Sequence, residues 1–138
     1  MALPPRFTFR KNPQMLTIRK AQTAVFEDAS LVDFENRMVV HIKKFFPDHF
    51  AALQEEKTRQ LIQFAIERAA THGIVNECDV CKFTDLMIGF GPGFEEDPKC
   101  AWAAKILGDT ASATSSERVD RLYDHGTALL DARAAREN

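Results

Sequence analysis

Between Val80 and Phe90 the chain is apolar at 80, 83, 86, 87, 88 and 90. Val80, Phe83, Met87 and Phe90 share one stripe at helical spacing, and Leu86 and Ile88 add apolar surface on its flanks. A helix whose second half is apolar nearly all round has to be enclosed by other elements. The rest of the chain must therefore supply amphipathic helices to cover it. A length of 138 residues is enough for one domain with a real core.

Those covering helices can be read from the apolar spacing. Residues 17–46 read as helical in two pieces, with Thr17 as a candidate N-cap and Ser30 or Asp33 opening the second. In that second piece Phe34, Met38, Ile42 and Phe45 recur at i, i+4, i+8 and i+11, leaving Glu35, Arg37 and Lys43 off the stripe. Pro47 is expected to stop it, and "PDHF" to form a turn. A further helix lies within 48–72 and is strongest from Leu53 to Ala70. Ile62, Ala65, Ile66 and Ala69 form its inner stripe, and Gln54 and Glu67 face solvent. Gly73 suits the position after its end.

The enclosed helix then starts at an Asn76 cap and runs to Phe90. "GPGFEEDP" connects it to a short helix that Pro98 opens and Gly108 closes. Residues 109–115 are a polar linker, after which Ser116 and Glu117 open a last helix carrying Val119, Leu122, Gly126 and Leu129. Strand period appears only at Phe7 and Phe9, in a proline-rich start. The expected fold is all-α, a compact bundle of about five to six helices. An extended basic arm covers 1–16, the core domain 17–108, and the linker with a C-terminal amphipathic helix 109–138. Phe34, Met38, Phe45, Ile62, Ile66, Phe83, Met87 and Trp102 are expected in one core.

Composition removes several function classes. A formal charge of −2 argues against a general nucleic-acid binder, which needs a basic excess. No apolar run reaches the length of a membrane span, and no apolar segment of signal-peptide type opens the chain. Three cysteines, an odd number, do not make a secreted disulfide framework, so a reducing cytoplasm is expected.

Residues 76–94, "NECDVCKFTDLMIGFGPGF", hold the two signals closest to enzyme chemistry. Cys78 and Cys81 form a Cys-x-x-Cys. A redox pair of that kind needs an exposed first thiol with a lowered pKa. Here Glu77 and Asp79 flank Cys78, and on a helix both cysteines share a face with Asp85. A structural zinc site wants a second ligand pair, but Cys100 stands alone and His41, His49, His72 and His125 are scattered. The glycines at 89, 91 and 93 follow a helix instead of opening one. Pro92 has no N–H to offer a phosphate, and Glu95, Glu96 and Asp97 would repel it. His41, with Glu35 and Asp48 nearby in sequence, shows no catalytic spacing. The expectation is no enzyme, no catalytic residue, no cofactor and no metal.

The ends offer partner chemistry instead. Met1 to Phe26 hold five cations, Arg6, Arg10, Lys11, Arg19 and Lys20, and no acid. Phe7, Phe9 and Arg10 in the arm, with Val119, Leu122 and Leu129 on the thin last helix, are the expected partner-binding residues. The arm suits strand addition and the helix suits a groove, on another protein or on a second copy of the chain.

The blocks "VDFENRMVVHIKKFFPDHF", "TRQLIQFAIERAATHGIVNECDVCKFTDLMIGFGPGFEEDP" and "WAAKILGD" resemble a family of small bacterial proteins. Genes of that family tend to sit beside those for PAAR-repeat spike tips, effectors and effector chaperones of type VI secretion. The resemblance spans about residues 15–109 and is carried by Phe34, Glu35, Arg37, Met38, His41, Phe46 and Pro47 in the first block. Gly73, Ile74, Asp79, Val80, Leu86, Gly89, Phe94, Asp97 and Pro98 carry the second, with Trp102 and Leu107 in the third. It implies a cytoplasmic, non-catalytic adaptor or co-chaperone in effector loading, whose partner is an effector chaperone, a PAAR protein or an effector. An immunity protein that neutralises a cognate toxin and a small helical enzyme are the rival readings.

Overall fold

This computed structural model describes residues 28–137, with side chains over 30–136. Among the described residues there are five α-helices: α1 Asp28–Phe45, α2 Pro47–Thr71, α3 Glu77–Phe90, α4 Ala101–Gly108 and α5 Ser115–Glu137. Two 3-10 turns, Phe94–Glu96 and Pro98–Cys100, join α3 to α4, and no strand occurs. The all-α expectation holds. The described residues form two compact units, one ending at Thr71 and the other beginning at His72. The last helix is part of the second unit because it packs on α3 and α4. The basic arm and the Thr17 cap lie outside the described residues.

In the first unit α1 packs on α2. Phe34, Met38 and Ile42 are buried as their spacing requires, joined by Val39. The i+11 member departs from the stripe: Phe45 is 59% exposed. It is the last residue of α1, and its ring meets His41 at 4.9 Å and the Lys44 ammonium at 5.3 Å. "PDHF" is no turn but the start of α2. Pro47 takes the first helical position, where a missing N–H costs nothing, and Asp48 sits favourably at the positive helix end. The Phe50 amide donates to the Phe46 carbonyl at 2.9 Å.

On α2, Leu61, Ile62, Ala65, Ile66 and Ala69 are all buried, as expected. Two acids expected in solvent are buried as well, Glu35 and Glu67. For Glu35 the reason is a polar seam between α1 and α2. Arg59 Nη1 donates to Glu35 Oε1 at 3.0 Å and to Asn36 Oδ1 at 2.9 Å, and Gln63 Nε2 donates to Glu35 Oε2 at 3.0 Å. Arg59 Nε also reaches Glu55 at 3.1 Å. A carboxylate held by a guanidinium and an amide donor can lie between helices where a lone one could not.

The second unit follows local rules closely. Gly73 has φ 75°, the left-handed turn that ends a helix. Asn76 Oδ1 accepts from the amides of Cys78 and Asp79, capping α3. α5 opens one residue before the expected Ser116. Its cap is Thr114, whose Oγ1 accepts from the Glu117 amide while Glu117 accepts from the Thr114 amide. That pairing holds the Glu117 carboxyl below its ordinary range. Phe83, Leu86, Met87, Val119 and Leu122 are fully buried, and Phe94 nearly so. The Phe83 and Phe94 rings lie 5.5 Å apart, and Phe90 meets Trp102 edge-on at 5.3 Å. Trp102 is half-buried at the margin of this ring cluster and not deep in a core.

Two glycines set how close α3 and α5 come. A Cβ on Gly126 would stand 2.6 Å from Leu86 Cδ2, and one on Gly89 would stand 2.5 Å from Leu130 Cδ1. Each glycine makes room for a leucine of the other helix. Polar pairs then fix the register. Ser116 donates to the buried Asp79 at 2.6 Å, and Lys82 meets Asp120 at 2.7 Å. Arg118 is buried and donates to the Leu107 carbonyl at 2.8 Å, satisfying the C-terminal end of α4.

Candidate functional site

The three thiols differ in burial. Cys78 is exposed, Cys81 half-buried and Cys100 buried, and none of the three forms a disulfide. Burial, then Asp85 and Cys78, push the Cys81 thiol up to about 11, with Lys82 only partly opposing. Burial and Asp97 likewise raise Cys100. A thiol raised in this way carries little thiolate near neutral pH, so Cys81 is a poor nucleophile. The acid that matters is Asp85, one turn on.

The glycine run spends its amides on its own turn. The Gly91 amide donates to Met87 O, Phe94 to Gly91 O and Glu96 to Gly93 O. Gly91 and Gly93 have φ of 106° and 79°, so both use the freedom that only glycine has there. Pro92 is buried between them. An anion cradle needs amides that point outward and remain unspent, and these do not.

Sequence reasoning missed one histidine–carboxylate approach. His72 Nε2 stands 3.7 Å from Glu95 Oε2, and the Glu95 side chain is fully buried. That separation is longer than a hydrogen bond. His72 also faces the Phe83 ring at 6.3 Å, and Arg118 Nη2 donates to its carbonyl at 3.3 Å. Nothing in sequence spacing joins residues 72 and 95. The glycine turn after α3 brings them together.

The expected partner-binding residues divide three ways. Phe7, Phe9 and Arg10 lie outside the described residues. Val119 and Leu122 are fully buried within the second unit, so neither offers a surface to a partner. The face that looked too thin for a core is sufficient because Gly126 lets α5 approach α3 closely. Leu129 alone of the three on α5 is exposed, at 39%.

The surface that offers most to another protein lies in the first unit, where α1 passes into α2. Phe45 and Val40 are both more than half exposed. The rings of His41, Phe45, Phe46 and His49 form a chain of contacts: His41 to Phe45 at 4.9 Å, His41 to Phe46 at 6.4 Å, Phe46 to His49 at 6.0 Å. Two cations stand over rings here, Lys44 on Phe45 and Lys43 on Phe50 at 5.0 Å. Exposed aromatic and aliphatic area is what recognition surfaces concentrate. The signal was present in "HIKKFFPDHF", as two adjacent phenylalanines between a lysine pair and a proline. The first helix does stop before Pro47, as expected, and that same proline is the first residue of the next helix.

Comparison of the chain with protein-family profiles, curated proteins and solved structures gives no match. No helix among the described residues is long and apolar enough to cross a membrane.

Proposed function

We propose that the chain is a non-catalytic protein-binding accessory, an adaptor or co-chaperone in type VI secretion effector loading, and that it docks through the corner between α1 and α2. The observation that carries this reading is the exposure of Phe45 and Val40 beside Lys43 and Lys44. A ring left largely in water with one ammonium group over it costs solubility and gives its own fold little. On a partner it gives an apolar anchor with a charge on its rim. The partner chemistry is therefore an apolar notch with an acidic border. The resemblance of residues 15–109 to proteins encoded beside secretion genes supports an effector chaperone as its bearer. Phe46 and Pro47, which shape this corner, are among the residues that carry the resemblance.

The test is co-purification with the effector chaperone encoded beside the gene, using the wild type and Phe45→Glu. Because Phe45 is exposed, the variant should fold with an unchanged circular dichroism spectrum. Its affinity should fall at least tenfold, which corresponds to about 1.4 kcal/mol. Undiminished binding removes the corner from the interface. Capture of a toxin domain in place of the chaperone, with loss of its toxicity, would move the reading to an immunity protein.

A further inference from the structure

Helix α2 contains a backbone fault with two marks. Gln54 has φ 60° and ψ 179°, and it is the one non-glycine with positive φ among the described residues. That region is populated essentially by glycine alone, so a glutamine there is strained. The helix kinks at this point and runs as two pieces, 47–53 and 55–71. The second mark stands four residues on. The Thr58 hydroxyl is fully buried and has no hydrogen-bond partner. In a continuous helix a threonine hydroxyl can donate to the carbonyl four residues back. Two others in this chain do so: Thr84 to Val80 O and Thr127 to Tyr123 O, each at 2.7 Å. For Thr58 that carbonyl belongs to Gln54, the residue whose ψ is turned out of the helix.

One change removes both defects. Rotating Gln54 into helical φ and ψ relieves the strain and returns its carbonyl to Thr58. The bent form is held by other contacts. Leu53 is buried, Phe50 lies under Lys43, and Phe46 sits between His41 and His49. We infer that Gln54 is a built hinge, and that residues 47–53 exchange between this bent form and a straight form in which α2 is one continuous helix. The bent form assembles the aromatic corner. The straight form draws His49 and Phe50 away from Lys43 and His41 and takes the corner apart. The buried, unbonded Thr58 hydroxyl supplies the gain that makes the straight form competitive.

The inference stands on backbone geometry and does not need the docking role. It is tested by the distance between spin labels on unnatural amino acids at positions 48 and 71, both exposed, with the three native thiols left in place. In a straight helix these positions are about 35 Å apart, at roughly 1.5 Å per residue, and in the bent form they are closer. The wild type should show both distances. Gln54→Gly, which accepts the bent geometry without strain, and Thr58→Val, which removes the hydroxyl, should each leave only the shorter one. Phe50→Ala, which releases the first piece from Lys43, should enrich the longer. A single distance in the wild type that none of the three substitutions changes overturns the hinge. Chaperone binding lost in Phe45→Glu while both distances persist would leave the hinge standing and bear on the docking corner alone.

Discussion

The two units are held together by different means. The second is an aromatic core with side-chain caps at three helix starts: Asn76 on α3, Asp97 on the 3-10 turn before α4, and the Thr114–Glu117 pair on α5. Its polar groups are spent on register, as Ser116 with Asp79 and Arg118 with Leu107. The described part of the first unit is a helix pair laced by Glu35, Arg59, Asn36 and Gln63. It breaks a helix at a strained glutamine and leaves a phenylalanine in water. Where every local choice agrees with the fold, the segment reads as scaffold. Where several disagree in one place, stability has been given up for something else. The second unit is nearer the first kind, although the buried Nε of Arg118 and Nε2 of His72 make no hydrogen bond, and the corner of α1 and α2 is the second.

The sharpest way to break that contrast is at Phe83, which has no exposed surface. Phe83→Ala should cost about 3–5 kcal/mol. Denaturant unfolding followed by the fluorescence of the single tryptophan, Trp102, reads it out within the same unit. A loss under about 1 kcal/mol would mean that the ring cluster is not what holds the second unit. The seam of the first unit should be weaker. Arg59→Met takes two hydrogen bonds from Glu35 and Asn36 and leaves the carboxylate to Gln63, for a loss of about 1–3 kcal/mol by thermal melting. A loss matching that of Phe83→Ala would erase the distinction between the units.

The third change runs the other way. Gln54→Gly should stabilise by about 1 kcal/mol, because relief of a strain of roughly 1–3 kcal/mol exceeds glycine's entropic cost of about 0.5–1 kcal/mol. Chemical denaturation of the wild type and variant in parallel measures it, and a destabilised variant would show that the kink carries no strain. The smallest effect belongs to Phe45. Phe45→Ala should lie within about 0.5 kcal/mol of the wild type, the range of ordinary surface changes. A larger loss in a melting curve would return that ring to the core.

Much of the second unit was legible because its rules are local. Asn76 as a cap, Gly73 after a helix end and the stripe of Val80, Phe83 and Met87 need only neighbours in sequence to be recognised. The first unit was less legible because its features depend on pairs far apart. Glu35 reads as a solvent residue until Arg59 and Gln63 are known to face it. Phe45 keeps the period of its stripe but is the last residue of its helix, and periodicity alone does not say where a partner helix stops covering. Gln54 carries no composition signal, since nothing in the residue announces its backbone. On α5, Val119 and Leu122 read as a face for a partner because the stripe is thin, and what Gly126 does there is not visible in sequence. Gly126 is the point where α3 and α5 approach.

The central claim is that the chain meets its partner through the α1–α2 corner, and photo-crosslinking tests it most directly. A photoreactive phenylalanine analogue is placed at position 45 in one sample and at position 129, the exposed leucine of α5, in another. Each is irradiated with the co-expressed effector chaperone. A covalent adduct from position 45 and none from position 129 is the predicted result. An adduct from position 129 with none from position 45 would contradict it and move the interface to the C-terminal helix.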